Sequence, residues 1–471
     1  MAERKENICT LCSLGCGLLI ETDDGDPVAL DYRTDYPVNE GALCAKGNYA
    51  LELLNHRMRL VEPMKDGRAV DWAAAAGEIA QAMSSPGAAL IVEGDMSDEE
   101  AALLAAFGNA CLPTGRVAVS FSTNDDAVIG ALGEIPLPRA TIDDLKNSAC
   151  TIAVNDPFSV GPVVARWIMQ ARNAARENSL NVIAASENLA SKFAAVKLIG
   201  PVRAGLLCML KKLTEPAGDS APGWAQDARV ELDRLGPDIN EADAARLAEQ
   251  FIGAQSGVIV LSTSDPTAAR LAACCSLAGG EGKKLFLLND YGNAAGVCGR
   301  FRAVASTQEI LAGVAEGSID SLLVLGADLV ASYPELPVAA GLEKLKFLAA
   351  GAAFANKTTQ LAHIALPTAI WLEKDGTFCG AAQQSVAQPA GGARGYGEII
   401  EMIAHAMNMR PAEAPAVARE LLEINTEFVA GVISAASEPT AEPAVASSAT
   451  RFADGSLTDP LSWPQALKTE A

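Results

Sequence analysis

The spacing of the first four cysteines constrains this chain more than any other feature. It reads Cys9-x2-Cys12-x3-Cys16-x27-Cys44, with Gly15, Gly17 and Gly47 beside the thiols. Three sulfurs are local and one returns from a distance. A glycine-containing loop lets three thiolates converge on three iron corners of a cubane, and a remote residue closes the fourth. Glycine supplies the positive φ and close backbone approach that let N–H groups point at the sulfides. Four thiolates also bind zinc, but zinc ribbons normally pair two short C-x2-C knuckles, and Cys44 stands alone. Unligated core cysteines are the third reading. The spacing favours a [4Fe–4S] cluster on Cys9, Cys12, Cys16 and Cys44.

Composition narrows what can surround such a cluster. Eleven cysteines is an odd count, and Met1 to Asn7 shows neither an apolar signal core nor a twin-arginine pair, so a disulfide framework is not expected and a cytoplasmic location is. The seven cysteines beyond Cys44 show no C-x2-C spacing and read as core packing, with Cys298 and Cys379 set apart by their place in candidate ligand loops. His56, His363 and His405 are too few and scattered for histidine-built catalysis. A net charge of −22 sets nucleic acid and anionic membrane surfaces aside as partners. No segment reaches the roughly 18 apolar residues of a membrane span. At 471 residues, half of them apolar, the chain can form two to four packed units.

Beyond the cysteine loop, Gly17–Thr22 and Pro27–Tyr32 alternate like strands around an Asp/Gly turn, which predicts a small β-rich cap. From about residue 70 the pattern becomes α/β: apolar runs such as Ala88–Val92, Thr151–Val154, Gly257–Leu261 and Ser321–Gly326 alternate with helical stretches, predicting parallel sheets covered on both faces. The expected division is a cluster domain over 1–60, a discontinuous α/β domain over 61–135 and 256–400, an inserted Rossmann-like α/β domain over 136–255, a helical segment over 401–436, and a Pro-containing linker and acidic tail over 437–471. In open α/β sheets ligands sit beyond the carboxyl ends of strands, so the loops holding Asn155 and Asn293 are candidate cofactor-binding sites. No GxGxxG or GxxxxGK[ST] phosphate loop is present.

The run Ile8-Cys9-Thr10-Leu11-Cys12-Ser13-Leu14-Gly15-Cys16-Gly17, with Leu43-Cys44-Ala45-Lys46-Gly47, resembles the N-terminal iron–sulfur module of molybdopterin oxidoreductases, above all formate dehydrogenase catalytic subunits and the large iron–sulfur subunit of respiratory complex I. The likeness continues in Thr141–Ala149, in Asn289–Gly299, and in Leu361–Pro367 with Glu373-Lys374-Asp375-Gly376-Thr377-Phe378. It implies the α/β fold of that family. It also implies that Lys46, which follows the fourth cysteine, lies between cluster and pterin.

Two departures shape the functional expectation. The family's molybdenum-ligating Cys or selenocysteine should fall near Phe121–Asp126, where neither occurs; Ser122 offers an alkoxide oxygen in principle, about two positions off register. Where the family continues after this stretch into a further β-rich domain that completes the dinucleotide cradle, the sequence here reads instead as a helical segment and a linker, so that domain is not expected. The sequence therefore reads as an iron–sulfur electron-transfer subunit of a multi-subunit oxidoreductase, without catalytic residues or a molybdopterin dinucleotide of its own, serving flavin/NAD(P)-binding and ferredoxin-like partner chains. A short formate dehydrogenase-like catalytic subunit holding molybdopterin or tungstopterin dinucleotide is the first alternative. A structural subunit with a redox-silent cluster is the second.

Overall fold

The computed structural model describes residues 3–112, 116–120, 125–133, 135, 137–216, 240–289, 291–300, 305–334 and 336–408. They form two compact units, one from residues within 1–126 and 290–433, the other from residues within 127–289.

The first unit opens with an antiparallel sheet of β1 (Glu3–Ile8), β2 (Gly17–Asp23) and β3 (Asp26–Tyr32), the last two joined by the expected Asp/Gly turn. Its larger sheet comprises β4 (Met64–Lys65), β5 (Arg68–Ala69), β6 (Ala88–Glu93), β7 (Val117–Ser120) and three later strands: β13 (Ser321–Leu325), β14 (Phe347–Ala352) and β15 (Ile364–Pro367). The order is β5-β4-β15-β14-β13-β6-β7, with β7, β6, β13, β14 and β15 parallel. Ala88–Val92 and Leu322–Leu325 are fully buried, as strands covered on both faces must be. The strand order reverses between β6 and β13, which makes the gap beyond their carboxyl ends the default ligand crevice of this unit.

The helix after β6, Asp98–Cys111, begins with a reciprocal cap. Ser97 accepts from the Glu100 N–H, and the Glu100 carboxylate accepts from the Ser97 N–H. Glu100 also accepts from Lys374 Nζ at 2.7 Å and from the Tyr396 N–H at 2.7 Å, so one cap residue ties three segments together.

The second unit holds β8 (Cys150–Val154), β9 (Ser179–Ala184), β10 (Val196–Ile199), β11 (Gly257–Leu261) and β12 (Lys283–Leu287), all parallel, in the order β10-β9-β8-β11-β12. This corrects one boundary. The sequence returns the chain to the first domain at residue 256, yet β11 and β12 pair in the second sheet and the unit runs to Asn289. Apolar runs of five residues look alike in either sheet, and only their partners assign them.

A short hairpin of β16 (Gly376–Phe378) and β17 (Ala381–Gln383) and the helix Tyr396–Ala406 complete the described part of the first unit. Most of the expected helical segment at 401–436, the linker and tail at 437–471, and Ser122 lie outside the described residues. No helix among the described residues is long and apolar enough to cross a membrane.

Candidate metal centre

The cysteine loop closes the β1–β2 hairpin. Ile8 pairs with Gly17, the Cys9 N–H donates to the Cys16 carbonyl at 2.8 Å, and Gly15 turns the chain with φ +65°. Cys9, Cys12 and Cys16 are buried. Cys44 arrives at the start of a single helical turn, Ala45–Asn48. Asn39, with no exposed surface, joins the two segments: its Oδ1 accepts from the Gly17 N–H at 2.9 Å, and its Nδ2 donates to the Gly17 and Ala42 carbonyls. Gly17 is a close approach, since a Cβ there would stand 2.6 Å from the Tyr36 ring.

Burial pushes the Cys9 thiol up to about 12, reinforced by Cys12 and Cys44. Cys16 is driven well above its ordinary range by burial and then by Cys12, Cys9 and Cys44. The four sulfurs thus share one electrostatic neighbourhood. Such thiols stay protonated and inert on their own; they become thiolates when a strongly positive group sits among them. Among the described residues no three His, Cys, Asp or Glu side chains close on a single metal ion. Four cysteine sulfurs in one neighbourhood are soft donors of the type that holds iron–sulfur clusters. The donor set fits a cluster.

Later parts of the chain brace this loop. Gly292 donates to the Thr10 carbonyl at 2.9 Å, and the Ile8 N–H donates to Gln383 Oε1 at 3.1 Å. Cys379, at φ +51°, lies against Gly15, whose added Cβ would be 2.9 Å from Cys379 Cβ. Its thiol donates to the Gly292 carbonyl, and its N–H donates to Asn293 Oδ1. A Cβ on Gly292 would stand 2.4 Å from Thr10 Cα, a backbone atom that cannot swing aside. Gly292→Ala is therefore expected to destabilise the unit by about 1–3 kcal/mol and to speed cluster loss in air. Thermal unfolding and the decay of visible absorbance check this.

The carboxyl end of β6 adds a feature that the sequence reading missed. Glu93 and Asp95 are half-buried at the β6/β13 switch point. Burial and then the Asp95 charge push Glu93 up to about 8, partly offset by a hydrogen bond from Tyr291 and by Lys374. Burial pushes Asp95 up to about 6 against the pull of Lys374 and the Thr10 hydroxyl. Asp95 Oδ1 and Thr10 Oγ1 are both buried without a hydrogen-bond partner at ordinary distance. Gly326, at φ +90°, lets Glu93 and Tyr396 fill the crevice, for a Cβ there would meet Glu93 Oε2 at 2.3 Å and the Tyr396 hydroxyl at 2.6 Å.

The other expected site residues divide. Lys46 is exposed but donates to the Leu11 carbonyl at 3.1 Å, so its ammonium is held at the cysteine loop. Asn293 is 1% exposed, with Nδ2 on the Met96 carbonyl and Asp98 and Oδ1 on Cys379; its amide braces the protein and has little left for a ligand. Asn155 lies in the second unit beyond β8, at φ +61°, with Nδ2 on the Ser262 carbonyl and its own carbonyl accepting from Asn188. It joins three loops at the β8/β11 switch point. Asn39 and Gln383 were invisible as brace residues, because a buried amide in a loop carries no periodic signal.

Residues 2–56 match the family described as the molybdopterin oxidoreductase Fe4S4 domain. The chain is 23% identical over 438 residues to the NADPH-Fe(3+) oxidoreductase subunit alpha of Geobacter sulfurreducens, covering 79% of this chain and 51% of the relative. It is 23% identical over 448 residues to the F420-dependent formate dehydrogenase subunit alpha of Methanocaldococcus jannaschii, covering 79% and 64%. The chain thus spans between half and two thirds of the length of these relatives. Acetylene hydratase from Pelobacter acetylenicus superposes with a TM-score of 0.68 at 14% identity, covering 92% of this chain and 71% of that one.

Proposed function

The chain is a relative of the molybdopterin oxidoreductases, with their Fe4S4 domain over residues 2–56 and the fold of a molybdopterin enzyme, and from this premise we propose that it is an iron–sulfur electron-transfer subunit of a multi-subunit oxidoreductase. Cys9, Cys12, Cys16 and Cys44 hold one [4Fe–4S] cluster, which supplies one-electron transfer with little ligand movement. The observation that carries this reading is the shared neighbourhood of the four sulfurs, three of them buried, within the matched Fe4S4 domain.

The protein's own contribution is enclosure and charge. Asn39, Gln383 and the Gly292 segment fix the loop, and Lys46 sets a positive charge beside it. Asn155 is the candidate ligand contact of the second unit. Partner chains binding flavin, NAD(P) or further clusters supply the remaining redox steps, and the assembly works in the cytoplasm.

The crevice of the first unit supports a chain without its own molybdopterin dinucleotide. A phosphate-bearing ligand there would meet the Glu93–Asp95 pair, which keeps about one negative charge at neutral pH, and the nearby cation Lys374 is already paired with Glu100 at 2.7 Å. The alternative, a short catalytic subunit, is favoured by the formate dehydrogenase likeness along 79% of the chain.

Anaerobic purification of the native complex with metal analysis decides between them. We expect about four irons per chain, from the single cubane, and neither molybdenum nor tungsten bound to this subunit. Stoichiometric molybdenum or tungsten would establish the catalytic reading, and a cluster signal that no partner substrate changes would make the cluster a structural clamp.

A further inference from the structure

We propose that Glu93 and Asp95 form a proton-binding site coupled to the cluster, taking up a proton when the cluster is reduced. The inference rests on the cluster reading above. Its ground is a proximity between two places that the sequence separates: Asp95, two residues beyond β6, lies near the Thr10 hydroxyl of the cysteine loop, between the first two proposed ligands.

The geometry gives the proton somewhere to go. Asp95 Oδ1 and Thr10 Oγ1 are buried without a hydrogen-bond partner at ordinary distance, and a protonated Asp95 carboxyl gains a donor that the lone pairs of the Thr10 hydroxyl can accept. Glu93 shares the crevice through its hydrogen bond with Tyr291, whose neighbour Gly292 rests on Thr10. The groups facing the pair can be named element by element. Tyr291 approaches from the loop before Gly292, Lys374 and Cys379 from the segment around β16, Tyr396 from its helix, and Glu100 from the helix after β6. Lys374 is the one cation among them, and its partner is Glu100. The β13 side contributes Gly326, without charge.

With burial pushing Asp95 up to about 6 and Glu93 up to about 8, the pair shares roughly one proton at neutral pH. A one-electron reductant, such as a reduced flavin or iron–sulfur protein, then adds one negative charge to the cluster. In this enclosed setting the added charge raises the proton affinity of both carboxyls. One O–H bond forms at the pair, the proton comes from water, and the electron stays on iron, so the net charge of the region is unchanged.

The sign follows. Below about pH 6 both carboxyls are protonated in either redox state, and the potential is flat. Above it the reduced form binds more protons, and the midpoint potential falls as pH rises, by up to about 59 mV for each tenfold drop in proton activity.

An equilibrium redox titration of the anaerobic full chain, followed by electron paramagnetic resonance across this range, tests the proposal. The wild type should show the break near pH 6, while Asp95→Asn and Glu93→Gln should each reduce the slope and the double variant should abolish it. A slope unchanged in the double variant, or a wild-type potential indifferent to pH, overturns the proposal. Redox-difference infrared spectroscopy of the wild type guards against variants that fail to assemble: a protonated-carboxyl band must grow on reduction, and its absence is also fatal. Failure of the cluster reading looks different, since no iron signal would be present to titrate.

Discussion

Cys16→Ser is expected to yield a colourless protein, with iron well below stoichiometry and no cluster signal on reduction. Cys16 is buried within the loop that ends β1 and begins β2, and its carbonyl holds the Cys9 N–H. A serine hydroxyl in the same enclosure is a far poorer ligand for iron than a thiolate. Without the cluster the cap loses the interaction that repays its buried sulfurs, so protease cleavage near residues 9–44 should accompany the loss. Cys111→Ser is the matched control. That cysteine ends the helix after β6 and should leave iron content and spectrum unchanged. Equal iron in the two variants would remove Cys16 from the ligand set.

The second large effect is on folding. Arg59 and Glu373 form a pair in which both side chains are nearly inaccessible, at 4% and 1% exposure, with Arg59 Nη2 at 3.0 and 2.7 Å from the two carboxylate oxygens. Glu373 also accepts from the Ile370 and Ala390 N–H groups. Arg59→Met leaves a buried carboxylate with backbone donors but no counter-charge, a loss of about 3–5 kcal/mol. For a unit of this size the melting temperature should fall by on the order of 10 °C. The double variant Arg59→Met, Glu373→Leu should recover part of that loss, because two apolar side chains remove the stranded charge. Differential scanning calorimetry of the three proteins measures both. A single variant that melts with the wild type would show the pair to be dispensable.

These two cases mark what the sequence discloses and what it conceals. The four proposed cysteine ligands stand out in the sequence because cluster chemistry asks for three closely spaced thiolates and a distant fourth. The strands β2, β3 and β6, the helix Trp72–Met83 and the Ser97 cap are legible because periodicity and capping are local. The stretch Glu373–Phe378 stands out as a resemblance, yet its physical work appears only once Arg59 and Glu100 are found opposite Glu373 and Lys374. The boundary at 255 fails for the same reason, since β11 looks like any buried strand until β8 is found beside it. Glu93 and Asp95 follow a fully apolar run, where an acidic residue usually marks a strand reaching solvent; here the Tyr291 and Tyr396 segments cover it.

The bracing of the cysteine loop by Gln383 sets the order in which a cell can build the centre. Ile8 and Gln383 are 375 positions apart. At synthesis rates of about 5–20 residues per second, the four thiols leave the ribosome on the order of half a minute before their last support exists. During that interval the nascent quartet is open to oxidants and to competing metals. Iron delivery that waits for the released polypeptide, or a chaperone that shields the early segment, answers this timing, and arrested translation intermediates of graded length would reveal which one operates.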